Sequence, residues 1–184
     1  MKKRHLALAV ASGVAAAALV ACAASPARPL PPLALAAPVD LSRFMGDWYV
    51  IAAIPTVFER EAHNPVENYR LDPDGSIATT FSFNKGAANG PRTQYASRGF
   101  VVAVSGNAVW EQQYVWPFRA DYRISWVADD YSAVVVTRAK RDYVWIMARQ
   151  RSMPAAELSR LTAFVAAQGY DADRLQRMPH AGGG

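Results

Sequence analysis

The 184-residue chain holds a single cysteine, Cys22, and three histidines. One thiol allows no disulfide within the chain, so the fold must hold by packing alone. His5 lies in the leader described below, which leaves only His63 and His180. No Ser/His/Asp order is present, no His/Cys/carboxylate cluster at metal spacing and no phosphate-cradling glycine loop. The expectation is therefore no enzyme, no metal and no cofactor. Paired acids occur at Asp72/Asp74 and Asp129/Asp130, but at turns, where backbone geometry favours them. Beyond Lys2, Lys3 and Arg4 there is no block of basic residues, which excludes a nucleic acid partner. No apolar run reaches the ~20 residues of a transmembrane helix, and there are no internal repeats.

What the chain does have begins at its start. Three basic residues precede an apolar stretch from Leu6 to Val20, broken by Ser12 and Gly13, that ends Leu19-Val20-Ala21-Cys22. A basic start, a short apolar core and small residues before a cut describe a signal peptide over residues 1–21. Leu19-Val20-Ala21-Cys22 resembles the lipobox of bacterial lipoproteins. The resemblance implies that Cys22 is lipidated and becomes the first residue of an anchored, extracytoplasmic protein. The remaining 163 residues carry 17 basic and 15 acidic side chains, a formal charge of +2 rather than the +5 of the whole chain. Residues 22–39 contain five prolines and no acid before Asp40. They read as a tether that, at ~3.1 Å per residue, spans roughly 50 Å, or as a disordered leftover with no spacing role.

Eight short β-type runs follow, separated by turn signals: Trp48–Ile54, Val66–Leu71, Ser76–Phe83, Gln94–Val104, Ala108–Trp116, Phe118–Val127, Ala133–Thr137 and Tyr143–Arg149. Asp72-Pro73-Asp74-Gly75, Asn89-Gly90-Pro91, Ser105-Gly106-Asn107 and Asp129-Asp130 mark the turns. An antiparallel meander of this number closes as an up-and-down barrel or packs as a sandwich. After Pro154, apolar residues at Leu158, Leu161, Phe164 and Val165 predict a helix with one apolar stripe, stopped at Gly169 and lying outside the sheet. The domain is placed at residues 40–173, with a flexible tail over 174–184.

Gly46-Asp47-Trp48 at the first strand, Asp129-Asp130-Tyr131 before the valine strand, and Arg141 to Arg149 on the last strand resemble the three motifs of lipocalins, in order. The nearest branch is that of bacterial outer-membrane lipocalins, apolipoprotein D and plant temperature-induced lipocalins. The resemblance implies an all-β, eight-stranded barrel with the C-terminal helix packed outside. Gly46, Trp48, Tyr131 and Arg149 take structural roles at barrel closure, with the Arg149 guanidinium stacked on the Trp48 indole.

Strand alternation then assigns the interior. With Trp48 inward, Val50, Ala52 and Ile54 follow, and Arg149 brings Met147, Trp145 and Tyr143 to one face. The resemblance gives Trp145 and Tyr122 a pocket-lining role; Trp126 shares the Tyr122 face, and Tyr114 is a partner on the preceding strand. These aromatics line a cavity or fill a core. Lys85, Arg92, Arg98 and Arg119 are candidates to hold a carboxylate or phosphate at the mouth, or are solvated surface charge. The resemblance implies a fatty acid or lysophospholipid ligand, a role in lipid storage or transport, and attachment to the outer membrane facing the periplasm. A filled barrel acting through protein contacts is the alternative, and a homodimer is left open.

Overall fold

The computed structural model describes residues 30–182. A one-turn helix, α1 (Leu41–Phe44), precedes eight antiparallel strands: β1 (Gly46–Ile54), β2 (Ala62–Leu71), β3 (Ile77–Lys85), β4 (Arg92–Val101), β5 (Val109–Val115), β6 (Phe118–Val127), β7 (Ala133–Thr137) and β8 (Val144–Ala148). Each strand pairs with the next, and β1 pairs with both β2 and β8, so the meander closes into a barrel. Helix α2 (Ala155–Ala167) follows, and its Leu158, Leu161 and Val165 pack on the outer side of β1, β7 and β8. Closure removes the open edges that a sandwich would leave.

One end of the barrel is plugged by aromatics. Asp40 caps α1 by accepting from the Ser42 and Arg43 N–H groups. This sets Phe44 inside, with its ring 5.2–5.4 Å from those of Trp48, Trp110 and Tyr69. Trp110 stacks on Tyr122 at 4.9 Å, and the Tyr69 and Tyr122 hydroxyls share a hydrogen bond of 2.7 Å. Arg149 lies over Trp48, 3.8 Å from its ring centroid, and donates to the carbonyls of Arg43, Phe44, Met45 and Asp47. Gly46 adopts φ +94°, which an L side chain resists, just where the guanidinium passes. Tyr131 also turns through positive φ, and its hydroxyl accepts from the Asp40 N–H at 2.7 Å.

The alternation read from the sequence fails at two bulges. On β1 the register to β8 shifts between Val50 and Ala52. Val50 faces inward, but Ala52 and Ile54 face α2. On β6 the shift falls between Ile124 and Trp126. Tyr122 and Ile124 face inward, whereas Trp126 lies outside beneath Arg160, whose guanidinium is 4.6 Å from the indole centroid. Each bulge adds one residue to its strand and reverses the faces beyond it.

Both ends of the described chain, before Asp40 and after Asp173, are held on the barrel. Residues 30–35 lie beside α2, where the Ala34 N–H donates to Gln168 Oε1, and residues 36–39 cross to the plugged end: Ala36 N–H donates to Ile124 O, Val39 N–H donates to Gly106 O, and Val39 packs against the inner core. The tail forms β9 (Gln176–Arg177), paired with Ala52–Ala53 of β1 where β2 has diverged. Met178 then packs into the barrel core, and the His180 ring bonds Val50 O at 2.9 Å. The free edge of β1 explains this docking: its unpaired backbone groups need partners, and the tail supplies them.

Candidate ligand cavity

Above the aromatic plug the barrel is hollow. A cavity of about 450 Å³ opens at the end opposite α1. Its inward-facing wall comes from strand alternation: Glu67 on β2, Thr79 and Phe81 on β3, Tyr95 and Ser97 on β4, Gln112 and Tyr114 on β5, Ala120 and Tyr122 on β6, and Trp145 on β8. The β1–β2 loop folds over one side with Thr56, Val57, Phe58 and Glu59, and the β7–β8 turn contributes Arg138 and Tyr143. The size and the mainly apolar, aromatic lining suit a small hydrophobic molecule. Phe58, Trp116 and Phe118 stand 68%, 81% and 75% exposed around the mouth.

The residues expected in the pocket divide into three groups. Tyr114, Tyr122 and Trp145 line the cavity. Val50 and Met147 point inward but belong to the packed core. Ala52 and Trp126 are outside, for the reason given above. None of the four expected mouth cations borders the cavity. Arg92 donates to Ser82 Oγ and Asn84 Oδ1 on the outer surface. Arg98 pairs with Asp72 and Asp74 at the closed end. Arg119 pairs with Glu111 at 2.7 Å and covers Phe100, and Lys85 ends β3 without lining the cavity.

The charged groups that do reach the cavity are Glu59, Glu67, Asp121 and Arg138. Glu59 is only 7% exposed and accepts from the Thr56 N–H at 2.7 Å and from Trp145 Nε1 at 3.3 Å. Burial raises its pKa, against the pull of those bonds. Glu67 is opposite Trp48 on β1 and Phe81 on β3. It lines the cavity, and its Oε2 is buried with no hydrogen-bond partner. Burial, then the neighbouring Glu59, pushes its pKa up to about 8. Arg138 pairs with Asp142 at 3.3 Å but leaves its buried Nε unpartnered. Tyr170 fixes that turn by accepting from the Arg138 N–H at 2.8 Å. Asp121 is occupied by Arg123 Nε and the Ala139 N–H. Glu67 had one signal in the sequence: it shares the phase of Tyr69, two residues on, and so the inward face. Arg138 had none, because a turn carries no alternation.

A closed up-and-down barrel with a plugged floor and an open, apolar-lined cup defines a protein of the small-molecule-binding barrel class. A lipocalin-like domain profile matches residues 39–180, and the chain belongs to the lipocalin family. Temperature-induced lipocalin-1 of Arabidopsis thaliana is 27% identical over 158 residues, spanning 78% of this chain and 80% of the relative. Outer membrane lipoprotein Blc of Escherichia coli is 26% identical over 170 residues, spanning 90% and 92%. Among solved structures, insecticyanin from the tobacco hornworm Manduca sexta shares the fold, with a TM-score of 0.61 at 14% identity over 84% of this chain and 87% of that one.

Proposed function

We propose that this lipocalin is a lipid-anchored carrier of single-chain amphiphiles, a fatty acid or a lysophospholipid, at the outer membrane on its periplasmic side. The observation that carries the reading is the open cavity of about 450 Å³ above a sealed floor. A filled barrel would have favoured a role through protein contacts alone. Arg138, at the mouth, is the one cation among the residues that line the cavity, so a fatty acid enters tail first. Its carboxylate then lies at the mouth, where the unpartnered Arg138 Nε is available.

The path of the chain supports an anchor near the opening. Arg141, on the β7–β8 turn at the mouth, donates to Pro31 O, so the described chain begins at the open end. Cys22 and the signal peptide lie outside the described residues. Seven residues lie between Cys22 and Leu30, and the eight steps reach at most about 30 Å. This is shorter than the ~50 Å of a tether running to residue 39, because residues 30–39 are laid along the barrel. An anchor there, with the exposed aromatic rim, sets the mouth beside the membrane that supplies the ligand.

Two results test this reading. Dodecanoate added at micromolar concentration should quench tryptophan emission in the wild type, and Trp145→Phe should lose most of the change. If no fatty acid or lysolipid alters the emission, the carrier reading fails. Cys22→Ala should leave the protein unacylated and released from membranes, and a variant that still pellets with them would overturn the anchor.

A further inference from the structure

Glu67 is a carboxyl group that neither barrel packing nor tail-first binding of a fatty acid uses. Its Oε2 is buried without a partner, an arrangement that lowers folding stability. Glutamine or methionine would fill the same volume without that charge. Glu59 comes down from the β1–β2 loop and, held by the Thr56 N–H and Trp145 Nε1, presents a second acid to the same cavity. The walls around them are ring faces, Phe81, Tyr114, Tyr122 and Trp145. Two carboxyl groups within an aromatic wall form a receptor for a cation.

We propose that the cavity floor is a subsite for the ammonium group of a hydrophobic amine, with Glu67 as its counter-ion. The amine's hydrocarbon part then runs along the aromatic wall toward the mouth. This rests on the reading that the cavity holds an amphiphile, and it narrows that class: an amine outranks a carboxylate of equal chain length.

The protonation states add a signature. Glu67 is faced by Glu59 from the loop, by Tyr69 on its own strand and by Tyr114 and Tyr122 from β5 and β6, and Arg138 from the β7–β8 turn lines the same cavity. Arg138 is already paired with Asp142. With a pKa near 8, free Glu67 carries its proton at neutral pH. An arriving ammonium ion displaces that proton to solvent, and the carboxylate left behind pairs with the cation. Amine affinity should therefore rise up to tenfold per pH unit below about pH 8. It should level off above that and fall once the free amine loses its charge near pH 10.

The test is calorimetric titration of the full mature chain with dodecylamine, dodecanol and dodecanoate at pH 6, 7.5 and 9, for wild type and Glu67→Gln. Dodecylamine is expected to bind the wild type at least tenfold tighter than dodecanol at pH 7.5. About one proton should be released at pH 6, read from buffers of different ionisation heat. Glu67→Gln should erase the preference and the proton release. Equal binding of amine and alcohol by the wild type, or a preference that survives in Glu67→Gln, would overturn the subsite and leave the carrier reading intact. Failure of all three compounds to bind would overturn both.

Discussion

Replacing Arg149 with alanine should cost about 3 kcal/mol of folding stability, the largest loss expected from any single surface-reaching side chain in the barrel. The guanidinium binds four carbonyl oxygens at 2.6–3.0 Å, from Arg43, Phe44, Met45 and Asp47. Three of these belong to the end of α1 and its exit, where carbonyls lack helical partners. The same group stacks on Trp48, a contact worth ~0.5–2 kcal/mol. Water can reach some of the freed oxygens, so the summed bonds overstate the loss. Burial lowers the pKa of Arg149, with Asp47 opposing the shift, yet a guanidinium remains charged across the working range. Chemical denaturation should show the loss, and the melting temperature should fall by roughly 6–12 °C. Arg149→Lys should recover only part of it, because an ammonium group cannot serve four carbonyls in one plane and stack as well. A change below 1 kcal/mol for Arg149→Ala would mean that the closed end is held by the aromatic plug alone.

Glu67 gives the second large effect, and it has a direction in pH. In the folded, ligand-free protein the carboxyl keeps its proton up to about pH 8, against an ordinary value of 4.5. The folded state therefore binds more protons than the unfolded chain between these values, and stability falls as pH rises through that window. The full cost, reached above pH 8, is at most about 5 kcal/mol. From pH 6 to pH 9 the loss is about 2–3 kcal/mol, or roughly 5–10 °C in melting temperature. Glu67→Gln carries no such titration, so its melting temperature should drop less over the same range and exceed the wild type at pH 9. Parallel curves for the two proteins would show that Glu67 ionises freely in a wet cavity. A bound cation should flatten the wild-type curve in the same way.

The strands were legible because each depends on local pattern, whereas closure and the Trp48–Arg149 pair came from the resemblance to the lipocalin motifs. Turn residues separate the runs, and Gly46, Trp48 and Arg149 occupy positions that only closure brings together. The interior was legible only up to the first bulge. Beyond Val50, β1 reads Ile51-Ala52-Ala53-Ile54, apolar on both faces because α2 covers the outside, so nothing in composition marks where the face reverses. Trp126 misleads in the same way: a large aromatic is equally at home in a cup or beneath a helix. The mouth cations failed for another reason. Lys85 and Arg92 flank a loop, and the long side chains of Arg98 and Arg119 found carboxylates on the outer surface. The docked tail could not be foreseen from Gln176-Arg177-Met178, since its pairing answers a gap between β1 and β2 that exists only in three dimensions.

The central claim is that the cup holds a ligand, and Ala120 offers the most direct access to it. Ala120 faces inward on β6 and lines the cavity, paired in register with Gln112, so Ala120→Trp should narrow the cup with a bulky ring and block entry of an acyl chain. Native mass spectrometry after mild extraction should find the wild type carrying an amphiphile of discrete mass and Ala120→Trp carrying none, with both proteins folded by circular dichroism. A wild type that emerges empty and takes up no added amphiphile, or an Ala120→Trp variant that carries the same adduct, would contradict the account.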